Sequence, residues 1–286
     1  MALLRAPTPL VESSAAVRVP RVYVSRPVVP GDSVALDGAE AHHLVHVLRR
    51  GDGDAVEVSG PGGLFAAVVE RLVGETESAE AQVELLIGER LPTVPPVPWA
   101  IAVAQVKGQG FELAVRQASE LGLAAIASLV SERSVVQGVS ATKLERWRRI
   151  AQEAAKQSGR TPPLKVGEEL TFQEALRGSS GAARFIASPG ATWPGLEAFG
   201  GARPAVSAPE EPAAFFLIGP EGGFLPGELE AAREAGFCPF GFPTPILRTG
   251  TAVAFIAAIG SVVSAGPTDS GPQLTPGPAT PPATPP

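Results

Sequence analysis

Residues 214–236 read AFFLIGPEGGFLPGELEAAREAG and carry the clearest fold signal in the chain. Their first five residues form an unbroken apolar run, which is typical of a strand that is buried on both faces. A glycine-rich turn at 219–223 follows, and a helix pattern then starts at Pro226 and ends at Gly236. A strand, a turn and a helix in this order predict one unit of an α/β fold.

The turn at 219–223 has two interpretations that its sequence leaves open. Glycines there allow a ligand or another chain segment to approach the backbone closely, and the following helix start offers free N–H donors. The turn lacks the Lys-Ser/Thr ending of a phosphate loop, and it is not a G-x-G-x-x-G dinucleotide motif. A ligand loop and a plain turn therefore both remain possible.

The alternation of strand and helix patterns extends over residues 100–265. Strand patterns occur at AIAVAQV (100–106), AAIASLVS (124–131) and ARFIAS (183–188). Helix patterns occur at FELAVRQASELG (111–122), SATKLERWRRIAQEAAKQSG (140–159, with Ser140 as N-cap) and TAVAFIAAIGSVVSA (251–265). This order predicts a parallel sheet covered by helices. The last helix is apolar nearly all round, so we expect it in a core or in a dimer seam.

The preceding part of the chain shows a different pattern, of short strands between turns. Five strand patterns and one helix pattern, GAEAHHLVHVLRR (38–50), predict a small β-barrel domain at 19–91, with Leu44, Val47 and Leu48 on one helical face. Four prolines indicate a linker at 92–99, before the α/β domain at 100–265. We expect a flexible lead at 1–18, a long surface loop at 199–214 and a disordered Pro-rich tail at 266–286.

Composition excludes several classes of protein. The single cysteine, Cys238, excludes a disulfide framework and cysteine-based zinc sites, and it fits a reducing cytosol. No apolar run approaches the roughly 18 residues of a membrane span, and the first residues do not read as a signal peptide. The net charge of −6 excludes a chain coated in basic residues but allows a local basic patch. We therefore expect a cytoplasmic globular protein.

Such a patch is predicted at the end of the helix at 140–159. Between Lys143 and Arg160 there are six basic and two acidic residues, a local balance of +4 in a chain of net charge −6. A solvated helix face and a stripe that docks phosphates both account for this pattern. Arg248 is a separate candidate, because an arginine at the start of an apolar helix needs either a structural partner or an anionic or carbonyl-bearing substrate.

All three histidines of the chain, His42, His43 and His46, lie in one cluster. His42 and His46 share a helix face at a spacing that also suits metal ligands. No cysteine lies nearby and the domain is otherwise a barrel, so we expect packing or a phosphate contact and no bound metal.

Five motifs in a fixed order resemble the ribosomal RNA small subunit methyltransferase E family. They are ASELG (118–122), SERSVV (131–136), EAAKQSGR (153–160), IGPEGGF (218–224) and ILRT-x-TA (246–252). The segment HHLVHVLRRGDGDAVEV (42–58) is similar to the RNA-binding barrel of that family. The resemblance covers residues 19–265 and implies a PUA-like β-barrel followed by a SPOUT-type, trefoil-knotted parallel-sheet domain that forms homodimers. The implied activity is methylation of uridine N3 in 16S rRNA of the small ribosomal subunit, with S-adenosyl-L-methionine as methyl donor.

The resemblance also implies roles for individual residues. Arg248 would stabilise the charge that develops on the uracil, while Gln157 and Arg160 would hold the flipped base or its phosphate. Methyl-donor binding is implied for Ile218, Gly219, Pro220, Glu221, Gly222, Gly223, Phe242, Pro243, Ile246, Leu247, Thr249 and Ala252. RNA binding is expected for Arg49, Arg50, Lys107, Arg133, Arg146 and Arg149.

The chain departs from the family pattern at two places. Gly250 stands where the family usually has the Glu of R-T-E-T-A, and Phe242-Pro243 stands where it usually has Leu-Gly. Two alternatives follow. One is a paralogue that binds RNA but methylates weakly or not at all, and the other is a SPOUT methyltransferase with a different RNA target.

Overall fold

The structure is a computed structural model that describes residues 19–73, 82–105, 109–135, 138–178, 182–200, 212–244 and 246–265. The predicted lead (1–18), the predicted tail (266–286), Lys107 and most of the predicted loop at 199–214 lie outside these ranges. None of the described helices is both long and apolar enough to cross a membrane.

The N-terminal part is a five-stranded sheet in the order β1-β3-β4-β5-β2. Only β1 and β3 run parallel among its pairs, and one face buries alternating valines and leucines, as the turn-rich pattern predicts. The strands are β1 (Arg21–Tyr23), β2 (Ser33–Leu36), β3 (Ala55–Gly60), β4 (Gly63–Val73) and β5 (Gln82–Leu91).

One helical segment packs on this sheet, and it differs from the predicted regular helix. Helix α1 (Gly38–His42) continues as a π-helical turn, His43–Val47. Leu44 is buried and Leu48 packs on the core as predicted, but Val47 is 59% exposed and Val45 packs in its place. The prediction for Val47 is wrong because a π-helical turn holds an additional residue, which rotates the following side chains away from the α-helical positions.

The C-terminal part contains a seven-stranded, all-parallel sheet, in the order β12-β10-β11-β6-β7-β8, with β9 also paired to β7. All five residues of strand β11 (Ala214–Ile218) are buried, as their apolar run predicts. Strand β6 begins at Val97, inside the segment that the prolines mark as a linker. The strands are β6 (Val97–Ala104), β7 (Leu123–Val130), β8 (Lys165–Val166), β9 (Leu170–Thr171), β10 (Ala183–Ala187), β11 (Ala214–Ile218) and β12 (Cys238–Phe240).

Helices cover both faces of the parallel sheet. On one face, a core lies between the sheet and helices α2 (Gly110–Glu120), α3 (Ala141–Ser158) and α7 (Thr249–Ala265). On the other face, a second core lies between the sheet and helices α4 (Phe172–Arg177) and α6 (Pro226–Glu234). The parallel α/β prediction is therefore confirmed. A further short helix, α5, spans Glu197–Gly200.

Local signals account for several helix ends. The Ser140 side chain accepts a hydrogen bond from the backbone N–H of Lys143, and Gly159 ends α3 in a left-handed conformation. At α4, the backbone N–H and the hydroxyl of Thr171 both donate to Glu174 and hold the pKa of that carboxyl below its ordinary value.

The apolar helix α7 is only partly buried. Val253, Ile256 and Ala257 lie in the core, and a Cβ at Gly260 would come within 2.4 Å of Val97, so α7 lies directly against β6. The opposite side of the helix reaches the surface, where Val262 is 64% exposed. The expectation of a core location is thus confirmed for one face of α7.

Polar contacts join the two parts of the chain at the C-terminal end of α3. The hydroxyl groups of Ser59 and Thr161 lie 2.9 Å apart, and Lys156 forms an ion pair with Glu40. These contacts fix the N-terminal sheet beside the end of α3, which lies near the N-terminal edge of the parallel sheet.

Candidate functional site

A cavity of about 290 Å³ lies at the C-terminal edge of the parallel sheet. It is surrounded by the loops that follow β10, β11 and β12, three neighbouring strands. Ligands of open parallel sheets bind at this edge, where the loops converge and are free to vary. The cavity is therefore the candidate functional site.

The turn after β11 supplies one wall. The N–H of Gly223 donates to the carbonyl oxygen of Pro220 at 2.8 Å, and Gly223 has a left-handed backbone with φ of +66°. A Cβ at Gly219 would lie only 3.2 Å from the ring of Phe224, so the turn folds tightly over that ring. This geometry brings the backbone of the turn to the cavity, and it favours a ligand loop over a plain turn.

Ten of the twelve predicted methyl-donor residues line this one cavity, although they come from two segments of the sequence. The two exceptions are Gly222, whose carbonyl oxygen faces Arg133, and Pro243, which is exposed. Methyl-donor binding by the segment after β12 was predicted only from the family resemblance, and the structure brings this segment next to the turn after β11.

A third wall was missed by the sequence analysis. It consists of Ala187, the last residue of β10, and of Ser188, Pro189, Gly190 and Ala191 in the loop that follows. A Cβ at Gly241 would lie 1.9 Å from the carbonyl oxygen of Ala191, so only glycine permits this close approach. A Pro-Gly pair directly after the predicted strand ARFIAS was the available signal, because the ends of parallel strands meet at one edge.

Arg248 lies beside the cavity, and it is not buried. Its neighbours Leu247 and Thr249 line the cavity, whereas the Arg248 side chain is exposed at the start of α7. Within the described part of the chain, its guanidinium has no hydrogen bond or ion pair. The premise that Arg248 is buried is therefore wrong. Of its two predicted roles, the absence of a described partner favours contact with a substrate over structural pairing.

Gln157 and Arg160 lie elsewhere in the same chain. The Arg160 side chain donates to the carbonyl oxygen of Glu120 at 3.3 Å and covers Gly122, the residue before β7. That position is at the N-terminal edge of the parallel sheet, opposite the cavity. Gln157 belongs to the same end of α3. One chain alone therefore does not bring these two residues to Arg248.

Most of the basic residues on α3 have partners. Arg146 pairs with Glu112 at 2.8 Å, Arg148 pairs with Glu145 at 2.6 Å, and Lys156 pairs with Glu40. Arg149 has the longest contact, 4.0 Å to Glu153, and its side chain is 71% exposed. Much of the stripe is thus a paired surface, and Arg149 is its most available cation.

The remaining predicted contacts lie on the N-terminal domain and near the turn after β11. Arg49 is exposed and has a left-handed backbone, with φ of +52°. His46 Nε2 and Arg50 Nε are buried without a hydrogen-bond partner among the described residues. The rings of His42 and His46 lie 4.5 Å apart, and no group of three candidate metal ligands occurs in the described ranges. Arg133 contacts the backbone of the turn after β11.

Comparisons with known proteins agree with this geometry. A family model described as RNA methyltransferase domain matches residues 93–261. Ribosomal RNA small subunit methyltransferase E of Synechocystis is 33% identical over 258 residues, which cover 87% of this chain and 80% of the relative. The chain belongs to the ribosomal RNA small subunit methyltransferase E family. The Bacillus subtilis member is 28% identical, over 76% of this chain and 85% of its own length.

Two solved methyltransferase structures share the fold of this chain. The Neisseria gonorrhoeae enzyme bound to S-adenosylmethionine matches with a TM-score of 0.69 and 27% identity, over 86% of this chain and 98% of that chain. A methyltransferase from Legionella pneumophila with bound S-adenosylmethionine matches with a TM-score of 0.71 and 26% identity, over 87% and 99% of the two chains.

Proposed function

We propose that this protein transfers the methyl group of S-adenosylmethionine to N3 of a uridine in 16S rRNA of the small ribosomal subunit. The observation that carries the proposal is the convergence of two family motifs, IGPEGGF and ILRT, on one cavity at the C-terminal edge of the sheet. Membership of the methyltransferase E family supports the same reaction and the same methyl donor. We place this activity in the cytoplasm, where the small subunit is assembled.

The residues of the cavity fit the methyl donor. Ile218, Leu247 and Ala252 provide apolar surface for an adenine ring, and the glycines of the turn allow a ligand to lie against the backbone. Glu221 adds a carboxylate, which suits a ligand that carries an ammonium and a sulfonium group. When bound, S-adenosylmethionine supplies an electrophilic methyl group.

Arg248 is the proposed catalytic residue. Uracil N3 carries a proton and becomes a good nucleophile only as that proton leaves, which places negative charge on the ring oxygens. The exposed, unpaired guanidinium beside the cavity is suited to stabilise that charge. The remaining task of the protein is to hold the base in line with the donor, so catalysis depends largely on positioning.

A homodimer is part of the proposal. Gln157 and Arg160 lie at the edge of the sheet opposite to their own cavity, so we assign them to the cavity of a second chain. Leu113 on α2, Ile246 before α7 and Val262 on α7 are exposed apolar residues. Helices α2 and α7 pack together, so these residues provide an apolar surface for a second copy.

The finer fold assignments belong to the same proposal. The chain passes from the edge strand β12 along the loop after β10, and α7 then returns to the centre of the sheet against β6. This path supports a SPOUT-type trefoil knot around the cavity. The five-stranded N-terminal sheet supports a PUA-like barrel that binds RNA, with Arg49 and Arg50 as contacts, together with Lys107, Arg146 and Arg149.

The proposal is tested by methyl transfer to purified small ribosomal subunits. Labelled S-adenosylmethionine and the full-length protein should label 16S rRNA, and mass mapping should find 3-methyluridine. Large ribosomal subunits serve as the control and should stay unlabelled. Binding of the donor and RNA without transfer would indicate the weakly active paralogue, and labelling of another RNA would indicate a different target.

A further inference from the structure

A short turn lies directly beside the glycine-rich turn after β11, outside the cavity. This SERS turn (residues 131–134) follows β7 and is closed by its own hydrogen bonds. The N–H of Ser134 donates to the carbonyl oxygen of Ser131 at 2.9 Å, and the N–H of Ser131 donates to the Ser134 hydroxyl oxygen at 2.9 Å. Both serines are buried. The SERS turn is therefore held in one conformation at the C-terminal edge of the sheet.

A buried carboxylate joins the SERS turn to helix α6. One oxygen of Glu228 accepts the N–H of Glu132 at 2.9 Å, and the other accepts the N–H of Leu225 at 2.8 Å. Glu228 is only 7% exposed, and these hydrogen bonds satisfy both of its side-chain oxygens. The start of α6, which follows the glycine-rich turn, is thus tied to the SERS turn.

Arg133 makes the second link, to the glycine-rich turn itself. Its guanidinium donates to the carbonyl oxygen of Gly222, 89 residues away in the sequence. A Cβ at Gly222 would lie 3.4 Å from Cδ of Arg133, so the side chain runs along the outside of the turn. Gly222 does not line the cavity, whereas Gly219, Glu221 and Gly223 do. Arg133 therefore contacts the turn from the side away from the cavity.

We propose that Arg133 is a positioning residue for the methyl donor, and that it is not primarily an RNA contact. A turn with glycines at 219, 222 and 223 has many accessible backbone conformations, and a ligand that binds its backbone must select one of them. The hydrogen bond from Arg133 restrains the turn before the ligand arrives and so reduces the ordering cost of binding. This inference rests on the proposed function, because it assigns the cavity to S-adenosylmethionine.

The two roles of Arg133 predict opposite binding results for full-length Arg133→Ala. A positioning residue should weaken S-adenosylmethionine binding about tenfold, as expected for a lost hydrogen bond from a charged donor. Its affinity for RNA should stay close to that of the wild type. In the enzyme assay, KM for the donor should rise while kcat at saturating donor changes little. Arg133→Lys keeps a cationic donor and should recover part of the affinity.

The matched control is Arg233→Ala, which removes an exposed arginine of α6 that pairs with Glu230 at 3.1 Å. Its affinity for S-adenosylmethionine should match that of the wild type. Isothermal titration measures the donor, and fluorescence anisotropy with a 16S rRNA fragment measures RNA. Unchanged donor affinity in Arg133→Ala, with weaker RNA binding, would overturn the inference.

Hydrogen exchange separates this inference from the proposed function. Without any ligand, the amides of residues 222–224 should exchange faster in Arg133→Ala than in the wild type, because the turn loses its restraint. If the wild type itself does not bind S-adenosylmethionine, the proposed function fails, and the exchange rates still decide whether Arg133 restrains the turn. Equal exchange in the two proteins would contradict it.

Discussion

Arg248 is an exposed guanidinium without a described partner, beside a cavity that it does not line. Arg248→Ala should therefore leave S-adenosylmethionine binding intact while it removes the charge that stabilises the uracil anion. Loss of one preorganised charged donor typically costs about 3–4 kcal/mol, or a hundredfold or more in rate. Single-turnover transfer of labelled methyl to small subunits measures this. Arg177→Ala, an exposed arginine on α4, is the control, and an undiminished rate in Arg248→Ala would refute the catalytic role.

Gly250 lies in the first turn of α7, where the family usually carries a glutamate. A Cβ there would stand 3.6 Å from Oε1 of Gln117 and 3.7 Å from Leu113, so a side chain has room to start. Gln117 Oε1 is buried without a hydrogen-bond donor among the described residues. A glutamate at 250 would face this oxygen, unless the amide group of Gln117 turns and presents its NH2 group instead.

We expect Gly250→Glu to keep the fold, because an acid is favourable near a helix N-terminus and the Gln117 amide can turn to donate. Combining it with Gln117→Leu, which removes that donor, should lower the melting temperature by more than the two single changes together. Thermal melts measure the coupling, and single-turnover rates measure catalysis. Equal rates for wild type and Gly250→Glu would show that the carboxylate is dispensable here.

At the residue scale, the sequence was sufficient for residues whose role depends on their near neighbours in the chain, or whose motif matches the family pattern. The glycine-rich turn, the residues around ILRT and the Ser140 cap were found because their signals lie within a few neighbouring residues. The contact between Arg133 and Gly222 joins residues 89 positions apart, so no local pattern contains it. The position of Arg160 over Gly122 was missed for the same reason, and so was the close approach of Gly241 to Ala191.

At the scale of elements, ion pairs on α3 determine which of its basic residues are available to bind RNA phosphates. Arg146 already faces Glu112, so it is partly neutralised, whereas Arg149 is held only by a long contact. We therefore predict that Arg149→Glu weakens RNA binding more than Arg146→Glu. Each lost phosphate contact should reduce the slope of log affinity against log salt by about 1.

The measurement is fluorescence anisotropy of an rRNA fragment over a series of salt concentrations. Arg177→Glu makes the same charge reversal on α4, away from α3, and serves as the control. The melting temperature should confirm that all three variants are folded. If Arg149→Glu and the wild type had equal slopes of log affinity against log salt, the RNA-binding surface would not include Arg149 on α3.

Long, periodic elements were predictable from sequence, and short ones were not. The apolar run of β11 and the capped pattern of α3 carry their own signals. The two-residue strands β8 and β9 are defined by their pairing with β7, which depends on the tertiary fold. The π-helical turn at His43–Val47 escaped prediction because its apolar residues also match a regular helix.

At the scale of the whole molecule, the strand order separates Gln157 and Arg160 from the cavity of their own chain. The N-terminal domain is fixed through Ser59–Thr161 and Lys156–Glu40 to the end of α3, next to Gln157 and Arg160. The cavity lies at the opposite edge of the same parallel sheet. Sequence patterns contain neither the strand order nor this placement, because both arise from pairings between distant segments. In the homodimer that we propose, an RNA held near Arg160 of one chain would meet Arg248 of the second chain.

This arrangement predicts that mixed dimers restore activity. A chain with Arg248→Ala and a chain with Arg160→Ala, each purified alone, should be nearly inactive. A heterodimer isolated through two different affinity tags should contain one site with both arginines intact. Its methyl transfer should reach about half the wild-type rate per dimer, because one of two symmetric sites is complete.

The control heterodimer pairs a wild-type chain with a chain that carries both substitutions. If the two arginines act across the dimer, each of its sites lacks one of them, and it should be nearly inactive. If they act within one chain, this control should instead retain half of the activity, and the first heterodimer should have none. Arg160→Ala also removes the hydrogen bond to Glu120, so thermal melts must show that each dimer is folded. An inactive first heterodimer beside an active control would contradict a site built from two chains.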